Sequence, residues 1–301
     1  MVLSSGPNKR MEASLSTASY EVLFSRNLGI VSKEEQAILK TSRVSIAGVG
    51  GVGGAYAVTL ARMGLGQFHL ADPDFFEPAN MNRQFGATIQ SMGQNKAHVL
   101  KEMILSINPE AVVTTFTEGI DQGNVEAFLQ GADLVLDGID AFAISVRRML
   151  YESCQRRNLF VIASGPVGLT ATLHVFGPGS MGFEDYFDFK NCQTDEERFV
   201  AFIVGTCPSF LHWGQVDPNF VDIANQKGPS LAPAINLCTA FACSEGLYIL
   251  LNRKSQMLAP RYLQFDLKGK KLANKYLFCG NRNPLQKLKR RFALGILRKK
   301  R

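Results

Sequence analysis

Hydrophobic and polar positions change their rhythm along this chain, and each change marks an element. Short apolar runs at 44–47, 67–71, 112–117, 134–137 and 159–163 are bounded by polar or glycine-rich breaks, which predicts strands. Helical spacing fills the intervals: small residues from Ala55 to Ala61, then Ala97, Leu100, Met103, Ile104 and Ile107, then 124–129 and 147–157. Alternation of this kind predicts an α/β fold, a doubly wound and mostly parallel sheet. Ahead of it, an entry segment at 20–27 leads to a helix whose start is marked by Ser32 and Glu35, a capping-box spacing. Beyond it, Thr170–Phe176 predicts a further strand that could run antiparallel, Leu231–Leu251 an apolar helix and 262–267 a late strand. Residues 177–232 mix Gly, Pro and aromatics without a period, which predicts an irregular substrate or crossover region and a mixed C-terminal part to the fold. The boundaries that follow are a flexible N-terminus over 1–19, one domain over 20–282 and a tail over 283–301.

Composition narrows the class. At 301 residues, 46% hydrophobic and 20% charged, the chain can build a large globular core. No uninterrupted apolar run reaches bilayer-spanning length, and Met1–Ser19 lacks the apolar stretch of a secretory signal. Six cysteines without a C-x-x-C pair fit reduced thiols in a cytoplasmic protein, so no zinc site is expected. Eight of the cations behind the net charge of +7 stand in 287–301, and no acid follows Asp266, so the body is nearly neutral and the tail basic. Leu285, Leu288, Phe292 and Ile296 fall near helical spacing there. A basic amphipathic segment of this kind suits an anionic membrane surface or RNA, which would make a cytoplasmic protein peripheral to a membrane.

The candidate chemistry gathers after the first strand. Gly48-x-Gly50-Gly51-x-Gly53 joins that strand to a helix, and Asp72 ends the next strand. This arrangement sets a phosphate on a helix N-terminus and a ribose hydroxyl on a carboxylate, and it serves NAD as well as ATP. The following residues favour phosphate chemistry. Attack at an α-phosphate builds charge on oxygen, which calls for cations beside it and a carboxylate for magnesium. Asn80, Arg83, Gln84 and Lys96 supply polar and cationic groups, and Asp140 stands just beyond the strand ending at Asp137.

Together with Asp72-x-Asp74 and Asn80-x-x-Arg83-Gln84, these motifs resemble the ThiF/MoeB family of adenylating enzymes with a Rossmann-like ATP-binding fold. The resemblance covers about Tyr20 to Leu251. It implies ATP-dependent adenylation of a carboxylate with release of pyrophosphate, most often at the C-terminus of a ubiquitin-like sulfur carrier or a peptide. By position it implies that Gly48, Gly50, Gly51, Gly53, Asp74 and Gln84 shape the nucleotide site and that Asp72 holds the ribose. Asn80, Arg83 and Lys96 would stabilise the α-phosphate, and Asp140 would hold Mg2+. Arg26 resembles an arginine that reaches into the partner subunit's site, which implies a homodimer; the turn Gly228-Pro229-Ser230 and the 231–251 helix with Glu245 resemble the family's late turn and dimer-packing helix. The zinc cysteines of many members are absent, and Ala141 stands where Asn is common. Cys192 and Cys207 are candidate thiol nucleophiles, though neither sits in a family motif. Three alternatives remain: a tRNA threonylcarbamoyladenosine dehydratase, a catalytically silent scaffold and an NAD(P)-dependent oxidoreductase.

Overall fold

The computed structural model describes residues 19–222, 225, 227–255 and 257–298. The expected flexible N-terminus, except for Ser19, lies outside the described residues.

The chain enters through α1 (Tyr20–Leu23), a 3-10 turn at Ser25–Asn27 and α2 (Lys33–Thr41). The capping box at Ser32 and Glu35 is formed as expected. Then strand and helix alternate: β1 (Arg43–Ala47), α3 (Gly51–Arg62), β2 (Gln67–Ala71), α4 (Lys96–Ile107), β3 (Val112–Phe116), α5 (Val125–Phe128), β4 (Leu134–Asp137), α6 (Ile144–Arg156) and β5 (Val161–Ala163). Next come β6 (Pro166–Val167), β7 (Thr170–Phe176), α7 (Phe183–Phe187) and α8 (Asp195–Thr206). The chain closes with α9 (Ala232–Leu250), β8 (Arg261–Asp266), β9 (Lys271–Tyr276) and α10 (Pro284–Arg298).

Nine strands among the described residues form one sheet in the order β3-β2-β1-β4-β5-β7-β8-β9, with β6 folded back on β7. The first five run parallel and the last three antiparallel, so the mixed C-terminal part is present as expected. β1 and β4 have helices on both faces and are almost wholly buried, which is why they read as continuous apolar runs rather than alternating ones. One face of the sheet packs Tyr56, Leu60, Leu100, Ile104 and Leu250. The other packs Phe128, Leu150, Tyr151, Phe183 and Phe187. Each large side chain buried in this way contributes about 1.5–3 kcal/mol relative to its exposed state.

Three features depart from the expectations. The 177–232 segment is not irregular throughout, because α8 runs for twelve residues within it. Its Thr194 cap bonds Glu197 N–H, and its apolar residues face several directions, which hides the helical period. β9 was not expected; it is an edge strand of mostly polar, exposed residues, and its hairpin with β8 fixes it. α9 is nineteen residues long and apolar enough to cross a bilayer by length and composition, yet it packs along α3 and β7. Its outer face carries Asn236, Ala240, Ser244 and Tyr248, with Leu237 and Phe241 half-buried at its margin.

Candidate active site

Strand register builds the site. Ala47, the last residue of β1, lies opposite Ala71 of β2 and Asp137 of β4. The chain therefore leaves the sheet at Gly48, Asp72 and Gly138 along one edge, the carboxyl end of the parallel strands, where open α/β sheets bind ligands. Asp140 follows two residues beyond Gly138 and is exposed on that edge.

The glycines are a steric requirement of this junction. Gly48 has φ +77°, and a Cβ there would lie 2.5 Å from the Gly138 carbonyl oxygen. A Cβ on Gly53 would collide with the Gly48 carbonyl oxygen, so the helix and the turn can meet only without a side chain. Gly50 caps α3 and Gly51 opens it, which leaves unsatisfied backbone N–H groups and the positive end of the helix dipole at the turn. Gln84 is buried beside Gly50, and its Oε1 has no partner among the described residues. A polar atom buried without a partner costs about 1–3 kcal/mol, which a bound donor would relieve.

Asp72 is buried and accepts hydrogen bonds from the backbone N–H of Val49 at 2.8 Å and of Asp74 at 2.9 Å. Burial pushes its pKa up, against the pull of Lys96 and of these two bonds. The Asp72 carboxylate is thus tied to the glycine turn. Asn95 fixes what comes next. Its Oδ1 caps α4 by accepting from Ala97 and His98, and its Nδ2 reaches the carbonyls of Asp72 and Asp74. Lys96, the first residue of α4, is held against the edge with Nζ 2.8 Å from Asp74 Oδ2, the lysine buried and the aspartate open to solvent. Asn80 is buried and closes its own turn by accepting from Glu77 N–H. Arg83 is half-buried, its Nη1 donating to the Ala79 carbonyl and to Asn82 Oδ1. Asn82 also donates to the Ser230 carbonyl at 2.9 Å, which brings the 228–230 turn onto this loop.

Three positioning features go beyond what the motif showed. The Asp137 carboxylate is buried against Arg147 Nε at 2.7 Å and Tyr151 Oη at 2.9 Å, and it accepts from Ile139 N–H. Arg147 also donates to the carbonyls of Ile139 and Asp140, so one buried arginine holds the loop that presents Asp140. On the same loop Phe142 stacks on Phe199 of α8 at 4.6 Å, and Arg147 lies over the Phe202 ring. The third feature is Asn95. An asparagine just ahead of a helical run was the one sequence signal available for it.

The remaining candidates lie elsewhere. Arg26 is exposed in the turn after α1, and its neighbour Asn27 donates to the Met63 carbonyl at the C-terminal end of α3. The twelve residues of α3 put that point about 18 Å from the glycine turn, beyond the reach of an arginine side chain. Cys192 and Cys207 are both buried, and burial pushes both thiols up. Arg290 lies beside Cys192, with Nη2 3.1 Å from Sγ. Beyond the end of α8, His212, which no motif singled out, is half-buried, and burial pushes its pKa down to about 4.

Among the described residues no cluster of three or more His, Cys, Asp or Glu could hold a metal unaided. Magnesium at a nucleotide commonly takes one or two carboxylates and completes its shell with phosphate and water, and a lone exposed Asp140 fits that donor set. The glycine cradle, the Gln84 oxygen and Asp72 likewise fit an adenine nucleotide.

Comparison with known proteins agrees with this geometry. A tRNA threonylcarbamoyladenosine dehydratase of Bacillus subtilis is 37% identical over 142 residues, 47% of this chain and 55% of that protein. A probable molybdopterin-synthase adenylyltransferase of Porphyra purpurea is 29% identical over 185 residues, 60% of this chain and 48% of that protein. The chain thus spans about half the length of the curated relatives it matches. Among solved structures, the microcin C7 biosynthetic enzyme MccB in complex with N-formylated MccA superposes with a TM-score of 0.65 at 19% identity, over 94% of this chain and 83% of that one. PaaA superposes with a TM-score of 0.62 at 18% identity, over 91% and 76%. These structural likenesses support the Rossmann-like fold. The model of the ThiF family matches residues 24–286, and on that match the chain belongs to the ThiF family.

Proposed function

We propose that the protein uses ATP to activate a carboxylate as an acyl-adenylate, working as a homodimer on the C-terminus of a small carrier protein or peptide. The observation that carries this reading is the shared edge. The glycine cradle, the ribose acid and the loop with an exposed aspartate leave the sheet at the same level, and a buried lysine is held against that edge through Asp74. A dinucleotide dehydrogenase would have no use for the loop's aspartate or for the lysine.

In the step proposed, a substrate carboxylate oxygen attacks the α-phosphorus of ATP. The bond from that phosphorus to the bridging oxygen breaks, and pyrophosphate leaves with the bonding pair. The backbone N–H groups opening α3 hold phosphate oxygens, and Asp72 accepts from the ribose. Arg83 and Lys96 face the charge that develops on the α-phosphate oxygens, with Asn80 shaping their loop. Lys96 must share or leave its bond to Asp74 to do so, and Asp74 is exposed enough to yield it to solvent. Magnesium held by Asp140 would offset phosphate charge. Neither buried cysteine is assigned a part in this step.

Two observations support the homodimer. Arg26 is too far from its own glycine turn to serve it, and α9 presents Ala240, Ser244 and Tyr248 on an exposed face beside Glu245, whose Oε1 has no partner among the described residues. The 37% relative favours a second reading within the same chemistry, that of a tRNA threonylcarbamoyladenosine dehydratase.

The test is exchange of labelled pyrophosphate into ATP, driven by candidate peptides that include one ending in Gly-Gly, with threonylcarbamoylated tRNA run in parallel. Arg83→Ala is expected to lower the exchange rate about 10²–10³-fold, while calorimetry shows ATP still bound. An unchanged rate in the variant would overturn the assignment of Arg83. Turnover with the tRNA alone would select the second reading.

A further inference from the structure

Helix α10 is amphipathic, yet it is attached to the body with its polarity reversed. The side chains that hold it down are polar: Gln286 is buried and donates to the Val204 carbonyl and to Asn281. Lys289 donates to the Pro208 carbonyl, and Arg290 pairs with the buried Asp188 at 2.9 Å. The apolar stripe turns outward. Leu285, Leu288 and Phe292 recur at helical spacing and are 62%, 62% and 54% exposed. Trp213, the one tryptophan of the chain, stands 55% exposed beside this stripe with its ring 5.3 Å from that of Phe292. Lys287 and Arg291 are exposed one helical turn apart along the flank of the stripe. Burial pushes the Lys289 pKa down and Lys275 adds to the shift; Lys275 is exposed on β9, so the cationic side chains continue onto the sheet edge. From Leu267 to Arg301 the sequence holds thirteen lysines and arginines and no acid.

We infer that this face is a docking surface for an anionic lipid bilayer, with Leu285, Leu288, Phe292 and Trp213 entering the headgroup boundary and the surrounding lysines and arginines meeting lipid phosphates. Charge decides against a second copy of the chain. A two-fold contact sets a patch against itself, and here that would oppose Lys287 and Arg291 to the same residues without an acid between them. Side-chain type decides against single-stranded RNA, which uses cations with aromatic platforms and has no partner for exposed leucines at 285 and 288. Bilayer surfaces take both halves of the pattern, aliphatic residues with a tryptophan at headgroup depth and cations drawn to anionic lipid. The inference is independent of the adenylation chemistry, because none of these side chains belongs to the nucleotide edge.

Trp213 provides the readout. The full chain is mixed with vesicles of phosphatidylcholine alone or with one third phosphatidylserine, and binding is followed by co-sedimentation and Trp213 emission. The expected result is sedimentation and a blue-shifted emission with the anionic vesicles only, both reversed by raising the salt. L285S/L288S/F292S and K287E/R291E, each checked for native circular dichroism, are expected to reduce binding at least tenfold. ATP binding should be unchanged in both. Failure of the wild-type chain to sediment with anionic vesicles would overturn the inference, as would equal sedimentation of L285S/L288S/F292S. Retention of a labelled single-stranded RNA without vesicle binding would overturn it in favour of the nucleic acid.

Discussion

Asp137 ends β4 with a charge that solvent does not reach, and the side chain opposing it, Arg147, is equally buried. Removing one member of such a pair leaves the other charged and uncompensated, which costs about 3–5 kcal/mol. Asp137→Asn is therefore expected to lose about that much stability in urea denaturation. Asp137→Leu combined with Arg147→Met, which removes both charges, should recover part of it. The single variant should also lose adenylation beyond what its unfolded fraction explains, because Arg147 carries the carbonyls of Ile139 and Asp140. Equal stability of Asp137→Asn and wild type would refute the account. This residue also shows where sequence reading stopped. Gly48, Gly53 and Asp72 were legible because short-range chemistry marks them: a turn with no room for a Cβ and a strand-end acid; Lys96 was read from the motif, since a cation at a helix start has no local reason to be there. Asp137 stood in view as a strand-end acid, but its partners ten and fourteen residues on became visible only once α6 had folded over it.

At the scale of elements, the parallel half of the sheet was legible because its strands are buried on both faces and its helices carry one apolar side each. α8 was not, since its residues meet the core on one side and Phe142 on another, so no single period stands out. β9 was not, since a hairpin rather than side-chain pattern defines it. α8 and β7 meet at His174, which is buried with Nε2 2.9 Å from the Thr206 carbonyl. Burial pushes its pKa from 6.5 to about 4. The sign follows from proton counting. Below pH 6.5 the unfolded chain takes up a proton that the folded chain refuses until about pH 4, so stability is whole above that window and falls as the solution is acidified through it. Between pH 7 and pH 5 this one histidine is expected to cost about 2 kcal/mol. His174→Gln, which retains a donor for the Thr206 carbonyl, should flatten the acid side of the stability profile by that amount in chemical denaturation at the two pH values. Parallel losses in variant and wild type would show that the acid sensitivity lies elsewhere, His212 being the next candidate.

On the scale of the whole molecule, one chain supplies a nucleotide cradle but places Arg26 at the wrong end of α3 to use it. A two-fold pairing through the exposed face of α9 would turn that distance into a purpose, each subunit's arginine serving its partner's site. The consequence is complementation between two inactive proteins. Arg26→Ala and Arg83→Ala homodimers should each lose exchange activity, because every site in either lacks one of the two guanidinium groups. In a hybrid, the Arg26→Ala subunit keeps its own Arg83 and receives Arg26 from its partner, so one of its two sites is complete. Random co-assembly makes about half the dimers hybrids, and about a quarter of all sites should then regain wild-type rate. Co-expression of the two variants, purification of the mixture and pyrophosphate exchange per total chain would measure this. If Arg26 acted within its own subunit, neither site of a hybrid would hold both arginines and no activity would return. Recovery near one quarter therefore requires both the dimer and the crossed arginine.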